Sequence, residues 1–342
     1  MRTHAIVAIV LGLLTAAGSP GALAQQDNTQ DKRAQTGMKF LQVSADPRAA
    51  GMASAITALE GGSSMLFYNP AGMARLETNA DVMFGRTQWI AGIDYNFGSI
   101  AYRPFGGRYG VFGVSATYVD YGEIQETIRA DNEQGFIDLG TFSPRAYSFG
   151  LGYAAALSDR FSLGGQVKYV GQNLGSSVMS DLGNAEYDRT ENRQNVLAFD
   201  FGVLYKTGWE SLNFAVSARN FAPEVTYEEE SFELPLTLLI GVSMDLLDLY
   251  PIGRPDMHSL VVGLEAANPR DFDEQIKIGG EYTFMNTLAI RAGYVFPTDE
   301  EGFSVGAGLR QEFSGLRFGA DYAFTSFGVF TDVHRIAVRL SF

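Results

Sequence analysis

The stretch that decides the fold is QIKIGGEYTF, residues 275–284. Ile276 and Ile278 fall on one face of this stretch, while Lys277 and Glu281 fall on the other. A period of two residues is typical of a β-strand. An apolar face opposite a polar face is also what a strand in a membrane barrel needs, since lipid lies outside and a polar lumen inside. We therefore expect this stretch to cross a membrane as one strand of a barrel.

The same alternation continues through most of the chain, from about Asn79 to Phe342. Segments of roughly ten to fourteen residues recur, closed by turn residues and without helical periodicity. About fourteen strands are predicted, starting near Ala80, Ile93, Tyr109, Tyr147, Phe161, Asn195, Leu212, Leu236, Ser259, Gln275, Leu288, Phe303, Leu316 and Thr331. An even number lets an up-and-down antiparallel barrel return its last strand beside its first.

The connections between these strands differ on the two sides of the predicted barrel. Short turns are expected on one side, around Pro104, Ser158, Thr207, Asn286 and Ser314, with one longer exception at residues 246–257. Longer and more polar loops are expected on the other side, at residues 120–143, 171–193 and 222–234. Outer-membrane barrels have short periplasmic turns and long extracellular loops. The long loops are therefore predicted to be extracellular and to form the surface that meets a partner.

A soluble β-sandwich is the structural alternative, because its strands also alternate. Strand length separates the two, since sandwich strands usually have about five or six residues and membrane-crossing strands about nine to eleven. Tyr and Trp also lie near strand ends, as Trp89, Tyr118 and Trp209 do, where an aromatic girdle would lie. These features favour an all-β chain, a transmembrane up-and-down antiparallel outer-membrane barrel of about 14 strands.

Composition excludes several classes of function. The 342 residues include 25 Lys and Arg against 39 Asp and Glu, a formal net charge of −14, which argues against a nucleic-acid partner. With no Cys and only three His, thiolate metal sites, iron–sulfur clusters and Cys nucleophiles are excluded. We therefore predict neither an enzyme nor a bound cofactor or metal.

The N-terminal part of the chain is expected to fall into two pieces before the barrel, residues 79–342. Residues 1–24 have a basic Arg2, a short apolar stretch and an Ala-Leu-Ala site before Gln25, which is typical of a secretory signal peptide. This predicts export through the inner membrane and a mature chain that starts near Gln25. Residues 25–78 combine a polar lead with a segment rich in Ala, Gly, Ser and Met.

This second piece is predicted to be a small plug, or hatch, inside the barrel. A lumen of about fourteen strands is wider than its own side chains can fill, so it needs an insert to be closed. Two motifs place an Asx residue at a helix N-cap and Pro at the first helical position, which predicts two short helices. The candidate hatch residues are Asp46, Pro47, Arg48, Asn69, Pro70, Ala71 and Gly72. Asn69 and Pro70 could belong to a gate or could simply cap a helix.

The hatch sequence resembles a known family. Residues 40–77, FLQVSADPRAAGMASAITALEGGSSMLFYNPAGMARLE, resemble the N-terminal hatch of the PorV/PorQ family and, more distantly, that of FadL-type transporters, which carry a similar NPAG element. The stretches that begin at Phe232, Gly279 and Phe318 also resemble PorV/PorQ strands. One departure is visible at residues 60–64, EGGSS, where many relatives have Asp-rich residues before the Ser.

The resemblance implies a function at the cell surface. PorV proteins bind the C-terminal sorting domains of type IX secretion substrates and pass those proteins to an attachment complex. The resemblance therefore implies secreted proteins, type IX attachment components and outer-membrane lipid as partners. A FadL-like relative would instead carry a hydrophobic small molecule across the outer membrane, and a permanently shut structural barrel is a third alternative.

Charged residues on the inward face of the last strands are the largest set of candidate site residues. They could line a conduit, or they could pair with one another and with the hatch, because a charge removed from water requires a partner. The set comprises Glu265, Lys277, Glu281, Arg291, Arg310, Asp321, Arg335 and Arg339.

Three features near the ends of strands complete the candidates. His334 has outward parity and lacks a Ser on the same face, so it is expected at the extracellular interface and not in a catalytic pair. Phe342 ends an alternating strand and is similar to the C-terminal signature by which outer-membrane barrels are recognised for insertion. The acidic residues 228–230 could steer a basic partner.

Overall fold

A computed structural model of the chain describes residues 36–183, 186–227, 230–250, 257–298 and 301–342. The predicted signal peptide and the polar lead up to residue 35 lie outside the described residues. The strands are β1 (Ala80–Gln88), β2 (Asp94–Tyr102), β3 (Val111–Asp120), β4 (Ile124–Arg129), β5 (Phe136–Phe142), β6 (Arg145–Ala156), β7 (Phe161–Gly183), β8 (Glu186–Lys206), β9 (Asn213–Phe221), β10 (Val225–Tyr227), β11 (Glu230–Phe232), β12 (Thr237–Asp245), β13 (His258–Pro269), β14 (Gln275–Phe284), β15 (Leu288–Phe296), β16 (Phe303–Phe313), β17 (Leu316–Thr325) and β18 (Val333–Ser341).

The described helices are short, and most of them precede the first strand. One is an α-helix, α1 (Pro47–Gly51). The others are 3₁₀ helices at Lys39–Gln42, Ser63–Phe67, Pro70–Met73, Ile90–Gly92, Pro104–Gly107 and Leu246–Asp248. No helix among the described residues is both long and apolar enough to span a bilayer.

The long strands close into one barrel. Its order is β1-β18-β17-β16-β15-β14-β13-β12-β9-β8-β7-β6-β3-β2, and every neighbouring pair is antiparallel. The barrel closes between β1 and β18, where Asp81 is opposite Ser341 and Gln88 is opposite His334. The predicted fold class, an up-and-down barrel of 14 strands, is confirmed.

The outer face of the barrel is apolar. Leu151, Ile290 and Ile336 point outward and are 70%, 62% and 57% exposed. Their inward neighbours alternate with them, so Ala289 and Arg291 on either side of Ile290 are buried. Soluble monomers rarely expose contiguous apolar patches of more than a few hundred Å². A barrel with so many outward apolar side chains therefore faces lipid.

The two ends of the barrel differ as the sequence predicts, but the long connections contain strands of their own. β4 and β5 form a separate hairpin within residues 120–143, and β10 and β11 form another after β9. β7 and β8 also extend beyond the barrel wall. The pairing of β6 with β7 ends where Arg145 is opposite Asn173, whereas β7 and β8 remain paired as far as Gly183. Periodicity did not predict these strands, since polar residues meet water on both faces and leave little alternation to detect.

The described residues before β1, 36–79, are called the hatch segment below, and much of this segment packs against inward-facing residues of the barrel strands. Its apolar side chains, among them Met52, Ile56, Leu66 and Met73, form a buried cluster. Inward-facing glycines of the wall allow its backbone to approach closely: a Cβ at Gly279 would overlap the carbonyl oxygen of Met52. Similar overlaps with the hatch backbone would occur at Gly164, Gly263 and Gly293, and a Cβ at Gly202 would overlap Oδ1 of the Asn69 side chain.

Candidate functional site

Asp46 caps the helix in the first half of the hatch segment. Its carboxylate accepts a hydrogen bond from the Arg48 backbone N–H at 2.9 Å, and Pro47 occupies the first position of α1. The second carboxylate oxygen accepts from Arg339 of β18 at 3.2 Å. A residue that caps a helix therefore also joins the hatch segment to the barrel wall.

Asn69 caps the helix in the second half of the hatch segment and makes further bonds. Its Oδ1 accepts from the backbone N–H of Ala71 at 3.1 Å, with Pro70 at the first helical position. Its Nδ2 donates to the carbonyl oxygens of Thr57, at 2.8 Å, and Val203, at 3.2 Å. The side chain is fully buried, and its bonds with Thr57 and Ala71 form away from water. Capping alone does not describe this residue, because the amide also links two turns of the hatch segment to β8.

Gly72 also lies in this buried turn. Its carbonyl accepts from the backbone N–H of Gly61 at 3.1 Å. A Cβ at Gly72 would come within 2.8 Å of the carbonyl oxygen of Leu59. The NPAG element is therefore packed tightly against the preceding loop.

An ion cluster joins α1 to the wall. Arg48 donates two hydrogen bonds to Glu281 of β14, at 3.0 Å from Nε and 2.8 Å from Nη2. Arg291 of β15 donates to the same carboxylate at 2.6 Å and to Asp321 of β17 at 2.7 Å. Arg310 of β16 lies 3.5 Å from Glu281. A bidentate Arg–carboxylate pair is a strong and directional contact, so this cluster fixes where α1 lies in the lumen.

The remaining candidate lumen charges also contact the hatch segment or one another. Glu265 accepts from the Thr57 backbone N–H at 3.2 Å and lies 3.6 Å from Lys277. Arg335 donates to the carbonyl of Ser44 at 3.1 Å and also lies over the ring of Trp89. Arg339 donates to the hydroxyl of Ser64 at 2.9 Å, besides its contact with Asp46.

Electrostatic effects within the hatch segment follow from these contacts. The Glu281 carboxylate raises the pKa of the Arg48 guanidinium above its ordinary value, so Arg48 keeps its charge despite burial. Burial raises the pKa of Tyr68 to about 12, so its hydroxyl keeps its proton at neutral pH. That hydroxyl accepts from the Asp46 backbone N–H at 3.0 Å and lies 2.7 Å from the Ser44 hydroxyl.

Tyr68 and Asp81 are among the residues of the site that sequence reasoning missed. Tyr68 is flanked by apolar and polar residues with no periodicity, so nothing in the sequence distinguished it from a core aromatic. Asp81 follows the alternation of β1, but its inward carboxylate accepts from the Ser63 backbone N–H and from the Ser341 hydroxyl. The parity of β1 could have identified Asp81, because a buried inward carboxylate requires donors.

One small cavity lies beside the hatch segment. A cavity of about 40 Å³ lies between residues of the hatch segment and the inward faces of β2, β3, β6, β7, β8 and β9. Lys168 and Asp200 line it as an ion pair, 2.8 Å apart, together with Gln166 and Arg219. A volume of this size holds a few waters, whereas an apolar cavity that takes up benzene has roughly 150 Å³.

The two features at the C-terminal strand lie outside this site. His334 is on the outer face, where its Nδ1 lies 2.8 Å from the hydroxyl of Tyr322. Ser341 points inward, toward Asp81, so the two C-terminal side chains are on opposite faces. Phe342 exchanges backbone hydrogen bonds with Ala80 at 2.8 and 2.9 Å and completes the barrel closure. Its part in insertion stays a prediction.

Of the acidic run at residues 228–230, Glu230 is exposed at the start of β11, and residues 228 and 229 lie outside the described residues. Hydrogen bonds and ion pairs join the hatch segment to several strands of the barrel wall.

Comparison with known proteins relates the chain to a family and to solved barrels. A family model described as type IX secretion system protein PorV matches residues 25–247. No curated protein matches the sequence. The crystal structure of the toluene transporter TodX from Pseudomonas putida is similar, with 13% identity, a TM-score of 0.54 and coverage of 86% of this chain and 96% of that chain. A FadL homologue from Pseudomonas aeruginosa has 14% identity, a TM-score of 0.49 and coverage of 87% and 98%. At such low identity, the likeness to TodX shows the fold alone.

Proposed function

The chain belongs to the PorV family of type IX secretion system proteins, and from this premise we propose that it binds secreted proteins at the extracellular face of the outer membrane. The bound proteins would carry C-terminal sorting domains and would pass to the attachment components of the secretion system. The long connections at residues 120–143, 171–193 and 222–234 would form the binding surface, because recognition residues are often placed on loops of a rigid scaffold.

The contacts between the hatch segment and the barrel wall are the observation that supports this proposal. The hatch segment is bonded to β8, β14 and β18 through Asn69, Arg48 and Asp46. Its backbone lies against wall glycines such as Gly279. A folded protein cannot cross such a lumen, so the barrel offers its outer surfaces and its loops to a partner. We propose that the hatch segment serves as a fixed internal support for that surface.

The alternative, a FadL-like transporter of hydrophobic small molecules, requires an apolar pocket near the hatch segment. The cavity beside the hatch segment has a volume of about 40 Å³ and is lined by Lys168, Asp200 and Arg219 as well as by apolar residues. Its size and its charged lining favour water over a hydrophobic ligand. This cavity is therefore poorly suited to a hydrophobic ligand.

Cross-linking in the native outer membrane tests the proposal. The tagged protein is cross-linked in cells, and the captured proteins are identified by mass spectrometry. We expect secreted proteins that share a C-terminal sorting domain. Capture of a known barrel contact without any such protein would contradict the proposal.

A second measurement tests the transporter alternative. Purified protein is extracted with organic solvent, and the extract is compared by mass spectrometry with that of another barrel purified in the same way. We expect no enriched small molecule. An enriched hydrophobic compound, lost when the Asn69→Ala variant is purified, would support transport instead.

Residues 1–24 carry the remaining part of the proposal, export by a cleaved signal peptide. Sequencing the N-terminus of the protein from outer membranes is expected to give Gln25 as the first residue. An N-terminus at Met1 would contradict this.

A further inference from the structure

Acidic residues are concentrated at one end of the barrel. The connections at the end with the long loops contain 21 Asp and Glu against four Lys and Arg, counted over residues 89–93, 121–144, 174–194, 222–236, 270–274, 297–302 and 326–332. The connections at the other end contain four of each, over residues 103–110, 157–160, 207–212, 246–257, 285–287 and 314–315. Most of the net negative charge therefore belongs to the extracellular end, whose field attracts a cationic partner.

The β4–β5 hairpin at this end has strand edges without partners. β4 pairs with β5 from Ile124 opposite Phe142 to Arg129 opposite Phe136, and the two form a separate two-stranded sheet among the described residues. Both outer edges therefore carry backbone N–H and C=O groups outside any strand ladder. Such edges are templates to which an extended chain can add.

The hairpin also exposes apolar side chains. Ile124, Phe136 and Ile137 are 45%, 44% and 43% exposed. They lie beyond the ends of β3 and β6, outside the band of the barrel that crosses the membrane. A two-stranded sheet alone is marginally stable in water, and a third strand that covers apolar side chains stabilises it.

The hairpin is held in place from one side. Glu126 of β4 pairs with Arg189 of β8 at 2.8 Å. The ring of Phe142 lies against Gly175 of β7, where a Cβ would come within 2.6 Å. These contacts fix the hairpin beside the extended β7–β8 pair, so an added strand would meet a preformed edge.

We propose that the β4–β5 hairpin takes up an extended, positively charged segment of a secreted protein as a third strand. Backbone hydrogen bonds along the free edge would give affinity, and the acidic residues around it would select a segment rich in Lys or Arg. The inference rests on the proposed function, because that function supplies the secreted protein.

Binding of designed peptides to the full-length protein in zwitterionic nanodiscs tests this inference. The probe is a fluorescent peptide of alternating Lys and Val of roughly ten residues, long enough to pair along a typical strand. One control peptide replaces Lys by Glu, and another keeps the Lys–Val sequence but has N-methyl groups along one edge, which remove backbone donors. We expect the Lys–Val peptide to bind about tenfold or more tightly than either control.

Matched variants of the protein separate the hairpin from general charge. The variant Glu123→Lys, Asp131→Lys, Glu133→Lys reverses exposed charges on and beside the hairpin without touching the Glu126 pair. The variant Asp159→Lys, Glu210→Lys, Asp248→Lys reverses exposed charges at the other end. We expect the first to weaken binding of the Lys–Val peptide about tenfold and the second to leave it unchanged.

Two results would overturn the inference. Equal binding of the N-methylated peptide would exclude addition of a strand, and equal weakening by both triple variants would exclude the hairpin as the site. Cross-linking in cells tests the proposed function separately. If sorting-domain proteins are captured but the N-methylated peptide binds equally well, addition of a third strand is excluded and the proposed function stands. If the Lys–Val peptide binds selectively but no sorting-domain protein is captured, a secreted protein is excluded as the ligand of the hairpin.

Discussion

The inward face of the wall carries charged residues and glycines, and only the positions of the charged residues were predictable from the sequence. The charges at Glu281, Arg291 and Asp321 alternate with apolar residues, so their parity follows from the sequence alone. The pairing of Glu281 with Arg48 of the hatch segment does not follow from the sequence, because contacts between distant segments depend on the path of the chain. The role of Gly279 was also not predicted, because the Met52 backbone packs against this glycine from a distant part of the chain.

Substitutions in the ion cluster are expected to differ in severity. Glu281→Gln leaves Arg48, Arg291 and Arg310 around a neutral amide, whereas Arg48→Met leaves Glu281 with Arg291 as a partner. Breaking a buried ion pair costs about 3–5 kcal/mol when a charge is left without its partner. We expect Glu281→Gln to lower the thermal midpoint of the barrel in detergent, measured by circular dichroism, more than Arg48→Met does. Equal midpoints for the two variants would contradict this difference, and midpoints equal to that of the unmodified protein would show that the cluster does not hold the hatch segment.

Two adjacent glycines of β14 provide a matched test of hatch packing. A Cβ at Gly279 would overlap the backbone of Met52, whereas at Gly280 the nearest atom, the carbonyl oxygen of Val261, is 3.9 Å away. We expect Gly279→Ala to displace the hatch segment and raise the ion conductance of the barrel in a planar bilayer, with Gly280→Ala unchanged. Identical conductance for both variants would contradict the seating of the hatch segment on the wall.

At the scale of elements, the sequence predicts what alternation and capping signals encode. The barrel strands begin within a few residues of their expected starts, apart from β8, which starts earlier because it continues out of the barrel. The two Asx-Pro motifs begin helices at Pro47 and Pro70. The β4–β5 and β10–β11 hairpins were not predicted, since strands in water without a buried face lack a clear period of two.

The second Asx-Pro motif offers a test that separates capping from anchoring. Asp and Asn are nearly equivalent as N-caps, so Asn69→Asp would cost little if capping were the whole role. Because Nδ2 of Asn69 donates to the carbonyls of Thr57 and Val203, a carboxylate there would face two acceptors instead. We expect Asn69→Asp to lower the thermal midpoint at least as much as Asn69→Ala, whose capping loss is about 1 kcal/mol. A midpoint for Asn69→Asp near that of the unmodified protein would reduce Asn69 to a cap.

At the scale of the whole molecule, the barrel has an interior in contact with the hatch segment and two unlike ends. Alternation along the strands predicted the fold, and the hatch motif predicted the family. The path of the hatch segment through the lumen was beyond sequence reasoning, because it depends on contacts between residues far apart in the chain. The charge is unevenly distributed along the barrel axis. The acidic connections lie at the end with the long hairpins, and the connections at the other end have no net charge. This polarity is what a surface receptor for cationic segments requires.

The most direct measurement of the central claim locates the partner on the barrel. A photo-reactive amino acid is placed at Ile137 in β5, and in a matched protein at Met285, which is exposed in the turn between β14 and β15 at the opposite end. Both proteins are irradiated in cells that are actively secreting, and the adducts are identified by mass spectrometry. We expect adducts with sorting-domain proteins from position 137 and none from position 285. Adducts from position 285 alone, or from neither position while both barrels are folded in the outer membrane, would contradict the account.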